Sequence, residues 1–155
     1  MKEKREKVIP RRLKRRGLEI ERRSILKGVD KDSPSLSQAY RLTQKASRVG
    51  FDWPDIDGVL KKLDEELAEF KEAVSLGSRG RIREEIGDLL FVLANVSRFL
   101  QINPEEALKK TLKKFTSRFH YIERALREEG RSFHQSDLIE MDRLWEESKK
   151  MKLRN

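Results

Sequence analysis

Seven carboxylates, Glu65, Glu66, Glu69, Glu72, Glu84, Glu85 and Asp88, fall in two short clusters in the middle of the chain. Side chains three or four residues apart share a helix face, so Glu66 and Glu69 point one way together if the first cluster is helical. Glu85 and Asp88 do the same in the second. Two such pairs on facing helices offer four hard oxygen donors. That ligand set suits Mg2+ or Mn2+, with water and substrate phosphates completing the octahedron. A plainer reading exists for the first cluster, because Lys61 and Lys62 stand four residues before Glu65 and Glu66, where exposed ion pairs form.

The second cluster shifts the balance. From Ile86 to Val96 the only polar side chains are Asp88 and Asn95, seven residues apart and so on one face. An isolated carboxylate in such a run loses its hydration or takes up a proton, and it needs a partner. A metal cation is one candidate, and Lys or Arg from another helix is the other.

Other chemistries drop out. The chain has no cysteine, which removes disulfides, zinc-thiolate sites and thiol nucleophiles. Helical di-iron centres use Glu-x-x-His pairs, but His120 follows Ser117 and His134 follows Arg131 at that offset, so both histidines read as ordinary side chains. Neither a Gly-x-x-x-x-Gly-Lys phosphate loop nor a Gly-x-Ser-x-Gly elbow occurs.

The elements that must carry the acids are helices. Ser33 as cap with Pro34 at the first helical position predicts a helix ending near Gly50. The turn Phe51-Asp52-Trp53-Pro54-Asp55 follows, and Val59, Leu63, Leu67, Phe70 and Val74 then recur at helical spacing, predicting a second helix over 55–76. Gly77-Ser78-Arg79-Gly80 reads as a break. Ile82 to Leu100 is a third helix, apolar nearly all round and expected to be the most buried. Asn103-Pro104-Glu105-Glu106 is a capping box that starts a fourth helix running to about Glu129, and Ser136-Asp137 opens a fifth ending near Met151. No segment alternates as a strand does, and no repeat is visible. The expected fold class is all-α, a helical bundle of about five helices over residues 34–155, preceded by a basic N-terminal arm over 1–33.

A length of 155 residues suits one domain with an appendage. Its 41% charged and 36% hydrophobic residues suit amphipathic helices with solvated outer faces, and charge enrichment also accompanies hot habitats. The net charge of +9 is uneven: residues 1–34 hold thirteen Lys and Arg against six Asp and Glu. Such an arm could bind nucleic-acid phosphates non-specifically, or act as a solvated connector. No aromatic side chains interleave its charges to stack on bases, which favours the connector. Neither a secretory pattern nor a membrane-length apolar stretch occurs, so a cytoplasmic location with no membrane partner is expected.

Glu65-Glu66-x-x-Glu69 followed by Glu85-x-x-Asp88 resembles the signature of the all-α NTP pyrophosphohydrolases, the superfamily of MazG, dimeric dUTPases and phosphoribosyl-ATP pyrophosphohydrolase. The surrounding text is similar to the C-terminal catalytic domain of two-domain MazG. It comprises Lys45-Ala46-Ser47-Arg48-Val49-Gly50-Phe51-Asp52-Trp53-Pro54, Glu84-Glu85-Ile86-Gly87-Asp88-Leu89-Leu90-Phe91, Lys114-Phe115 with Arg118-Phe119, and Met141-Asp142-x-Leu144-Trp145-Glu146. The resemblance covers roughly Ser24 to Lys150 and implies that Glu66, Glu69, Glu85 and Asp88 bind Mg2+, with Mn2+ as a substitute, and that Glu65 orients or deprotonates the attacking water. It implies that Lys62, Arg81, Lys114 and Arg118 hold the triphosphate, that Trp145 and Lys149 lie near the nucleotide, and that Asn95 supports the metal shell or meets the nucleotide. Trp145 reads equally well as a core anchor. Lys45 and Trp53 are placed at the pocket's edge, with packing the stronger reading for Trp53. The implied reaction is metal-assisted attack of water on the α-phosphorus, releasing nucleoside monophosphate and pyrophosphate, in a homodimer or higher homo-oligomer. The upstream domain copy of the two-domain proteins has no counterpart in this sequence.

Three function classes follow: an enzyme clearing ordinary or damaged nucleoside triphosphates, a regulatory or nucleic-acid-associated module binding through the basic arm, and an inert dimerisation bundle. The last predicts that Asp88→Ala leaves the fold as stable or more so, since a buried charge without function is a liability.

Overall fold

The structure, a computed structural model, describes residues 24–151, so the basic arm over 1–23 lies outside the described residues. Two compact units divide the chain, one running to Ile102 and one beginning at Asn103. The first holds α1 (Ser35–Ser47), α2 (Ile56–Ser75) and α3 (Arg79–Phe99). In the second are α4 (Pro104–Glu128), a single 3-10 turn (Phe133–Gln135) and α5 (Leu138–Lys150).

Residues 24–33, the end of the basic arm expected from the sequence, form successive turns. They are closed by Lys27 N–H to the Ser24 carbonyl and Ser33 N–H to the Asp30 carbonyl. The expected Ser33 cap is also corrected. Pro34 takes the cap position in an extended conformation, and no side chain caps α1. Ser33 stands one residue before that cap position, and its hydroxyl donates to the Asp30 carbonyl at 2.7 Å, closing the preceding turn. Gln38 ties the approach down by donating its amide to the carbonyls of Lys31 and Ser33.

α2 starts where Asp55 accepts a hydrogen bond from the Gly58 N–H at 2.9 Å. It ends in a left-handed residue, Gly77 at φ 65°, with the Ser78 N–H reaching back to the Ala73 carbonyl. That one glycine makes the whole turn. Gly80 therefore sits inside α3, which begins at Arg79 rather than at Ile82 as the sequence suggested.

α3 packs against both α1 and α2, and the first core consists of Val59 and Ala73 from α2 with Val92 and Ala94 from α3. Ala73 and Ala94 are completely buried, and their small side chains let the helices approach closely. α3 buries four residues, more than any other helix. It is nevertheless not buried all round: Ile86, Leu90, Phe91 and Leu93 stay roughly half exposed, because α1 and α2 cover only one side of the helix.

The turn between α1 and α2 is anchored from far along the chain. Arg98, at the end of α3, donates from Nη2 to Asp52 Oδ1 at 2.6 Å and from Nε to Asn95 Oδ1 at 2.8 Å. Its guanidinium also lies 4.4 Å from the centre of the Phe99 ring. Next to Asp52, Trp53 packs against Gly58 of α2, where a Cβ would come within 2.8 Å of the indole, so this glycine makes room for the ring.

In the second unit Asn103 caps α4 as expected, accepting from the N–H groups of Glu105 and Glu106, with Pro104 at the first position. Only half of the capping box forms, since the Glu106 carboxylate turns to Lys109 at 2.9 Å. A second core of Ile122, Leu126 and Leu144 gathers Tyr121, Phe133, Met141 and Trp145 around it. Arg131 grips both oxygens of Glu140 at 2.6 and 2.7 Å, fixing the turn that leads to the Asp137 cap of α5. No helix among the described residues is long and apolar enough to cross a membrane.

Candidate metal centre

The hairpin of α2 and α3 brings Glu66 from one helix beside Glu85 and Asp88 from the other. One carboxylate oxygen from each lies within 4.8 Å of the other two. Helical spacing explains the second pair, and the three-residue turn Leu76–Ser78 sets the register that lowers Glu66 between them.

Burial is not distributed as the sequence pattern suggested. Asp88, the acid inside the apolar run, is exposed, while Glu85 at its start is only 8% exposed and Glu66 only 6%. The desolvation argument made for Asp88 therefore applies to Glu85. The apolar side chains flanking Asp88 face outward in this chain, so they do not enclose it. Glu85 Oε2 is buried without any hydrogen-bond partner. Loss of hydration is the main reason its carboxyl is pushed above the ordinary range, with the negative charges of Glu69, Glu66 and Asp88 adding to the push and Arg81 opposing it.

Glu69, one turn beyond Glu66 on α2, stays outside the tight cluster of three but close enough to act on Glu85 electrostatically. Glu65 is exposed. Lys62 donates from Nζ to Glu65 Oε1 and Glu66 Oε1, both at 2.8 Å, and these two acids hold its ammonium well above its ordinary pKa. Arg81 is paired with Glu72 at 3.0 Å and also feels Glu85 and Glu69. Asn95 is buried with its side-chain oxygen given to Arg98. Lys45 donates to the Lys27 carbonyl at 3.0 Å, tying α1 to the preceding turn.

Lys114, Arg118, Trp145 and Lys149 belong to the second unit. Arg118 lies 5.5 Å over the Trp145 ring, which tilts against Phe115 at 5.4 Å, and Lys149 is paired with Glu146. Trp145 also packs against the second core. Arg118 lines a groove of about 840 Å³ with Lys109, Lys113, His120 and Arg124.

Three acids from two helices, two of them buried and one oxygen unsatisfied, fit a hard divalent cation held by carboxylate oxygens. Among the described residues the only cation paired directly with this group is Lys62, which reaches Glu66 and leaves Glu85 unanswered. Sequence reasoning missed Asp52 and Arg98. An arginine three residues beyond the one buried asparagine was the available signal, but its partner lies 46 residues away.

Comparison with known proteins follows the same lines. Residues 56–122, which include both acidic clusters, match the family described as the MazG nucleotide pyrophosphohydrolase domain. A Thermotoga maritima protein named nucleoside triphosphate pyrophosphohydrolase/pyrophosphatase MazG is 43% identical over 75% of this chain and 44% of its own length. The Escherichia coli K12 nucleoside triphosphate pyrophosphohydrolase is 33% identical over 84% of this chain and 50% of its own. An uncharacterised Bacillus subtilis protein, YabN, is 47% identical over 48% of this chain and 15% of its own length. This chain thus spans half or less of the relatives it matches.

Proposed function

We propose that this chain, whose residues 56–122 match the MazG nucleotide pyrophosphohydrolase domain, hydrolyses nucleoside triphosphates to monophosphate and pyrophosphate with a divalent metal at the α2–α3 hairpin. The observation that carries this reading is the buried, unpartnered oxygen of Glu85 inside a cluster of three carboxylates from two helices.

Glu66, Glu85 and Asp88, with Glu69 on the adjoining turn, would hold the ion. Mg2+ bound there supplies positive charge for the phosphate oxygens and makes coordinated water more acidic. Glu65, exposed on the same helix beside Glu66, would orient the attacking water or accept its proton. Lys62 and Arg81, both at the acidic hairpin, would bind phosphate oxygens. In the first unit Asn95 would support the metal shell or meet the nucleotide and Lys45 would stand at the pocket's edge; in the second unit Lys114 and Arg118 would bind triphosphate oxygens, and Trp145 and Lys149 the nucleotide. No side chain needs to form a covalent intermediate, in keeping with the missing nucleophile motifs.

The roughly half-exposed Ile86, Leu90, Phe91 and Leu93 support a second proposal, that two or more copies of the chain associate and cover this side of α3. Light scattering at micromolar concentration tests it, and a monomer there counts against it.

The activity is tested by following monophosphate and pyrophosphate from each common NTP and dNTP, with and without millimolar Mg2+, for wild type beside Glu69→Gln. Metal-dependent release that the substitution abolishes is the expected result. Metal-independent release, or turnover unchanged in Glu69→Gln, would overturn the assignment.

A further inference from the structure

Lys62 does two jobs that cannot be done at once. Its ammonium is bonded to Glu66 Oε1 at 2.8 Å, and Glu66 is one of the three acids whose oxygens converge within 4.8 Å of one another. A cation entering that cluster competes with Lys62 for the same buried carboxylate. Yet the side chain is 33% exposed, held on its other side only by Glu65, itself 56% exposed, so it can swing away without disturbing the core.

Resting on the metal reading above, we infer that Lys62 is an exchangeable counter-cation: it neutralises Glu66 while the hairpin is metal-free, and metal entry displaces it toward solvent, where it engages the substrate's phosphates. The geometry supports this on three counts. Glu66 is 6% exposed, and an unpaired charge that deep is costly, so a cation beside it is favoured both with and without metal. Glu85 has no such companion, which leaves a charge deficit that Lys62 does not fill. A flexible lysine stem allows the head group to move while its base stays on α2. Binding is thereby ordered, metal before nucleotide, because the phosphate-binding cation becomes free only after the metal arrives.

The test measures Mn2+ binding by calorimetry without nucleotide, and then binding of a non-hydrolysable triphosphate analogue at saturating Mn2+, for wild type, Lys62→Met, Lys62→Arg and Glu85→Gln. Lys62→Met should bind Mn2+ about tenfold more tightly and the analogue about tenfold more weakly. Lys62→Arg should stay near wild type in both. Opposite signs in the two measurements are the signature, since a residue that merely supports the fold would weaken both. Mn2+ affinity unchanged or reduced in Lys62→Met, or analogue affinity unchanged, overturns the exchange. The Glu85→Gln chain separates this from the reading beneath it: if it binds Mn2+ as well as wild type, the metal centre itself is misplaced.

Discussion

Replacing Glu85 with glutamine is expected to reduce pyrophosphate release by at least about 100-fold while leaving the chelator-treated protein more stable than wild type. Both effects come from one oxygen. Glu85 Oε2 is buried with no hydrogen-bond partner, and three other acids act on it from α2 and α3. As the metal ligand proposed here it would be indispensable, and without metal it is a buried carboxyl facing like charges. Because burial and its neighbours raise its folded-state pKa, the folded chain holds this proton more tightly than the unfolded chain does. Stability of the metal-free wild type should therefore fall as pH rises from the ordinary carboxylate range through the raised value, whereas Glu85→Gln escapes that loss. Thermal melts of both proteins in chelator, from pH 5 to about 8, should diverge with increasing pH. Parallel curves would show that Glu85 carries no such strain, and wild-type turnover in the variant would remove it from the metal centre.

Arg98→Met is expected to cost about 3 kcal/mol of folding stability, enough to lower the melting temperature by on the order of 10 °C. The guanidinium side chain is 11% exposed and its Asp52 partner 24%, so this ion pair is far less screened than the helix-surface pairs. Its removal leaves the Asn95 oxygen without its donor and the Asp52 carboxylate without its counter-charge, held only by the Trp53 N–H at 2.9 Å. Asp52→Asn should cost about 1 kcal/mol, since an amide oxygen still accepts from the guanidinium. Urea unfolding followed by circular dichroism measures both. A shift for Arg98→Met within about 0.5 kcal/mol of wild type would mean that the turn is held by Trp53 packing on Gly58 instead.

The helices were largely readable because their ends carry local chemistry. Asn103-Pro104 and Asp137 cap α4 and α5 through side chains acting within three residues, and such signals survive without knowledge of the fold. Ser33 misled because the helix starts one residue later, with Pro34 in the cap position, and Gly80 because Gly77 had already made the turn. The site was legible as a set of residue types and spacings. Which acid is buried was not, since that depends on which side of α3 meets α1 and α2, and an apolar run gives little orientation. Glu85 rather than Asp88 faces inward for that reason. The Asp52–Arg98 pair joins segments 46 residues apart, beyond any local pattern.

The hairpin that carries Glu66, Glu69, Glu85 and Asp88 is closed by a turn of only three residues, Leu76 to Ser78. Contacts so close in sequence have a small loop-closure cost and form early when a chain folds. The acids should therefore crowd together before α1 docks, at a stage when their mutual repulsion opposes the hairpin and little packing yet compensates. Refolding of this unit is then expected to be slowest in chelator and quickest when divalent ions are present from the start, which would make the metal a participant in assembly as well as in the proposed turnover.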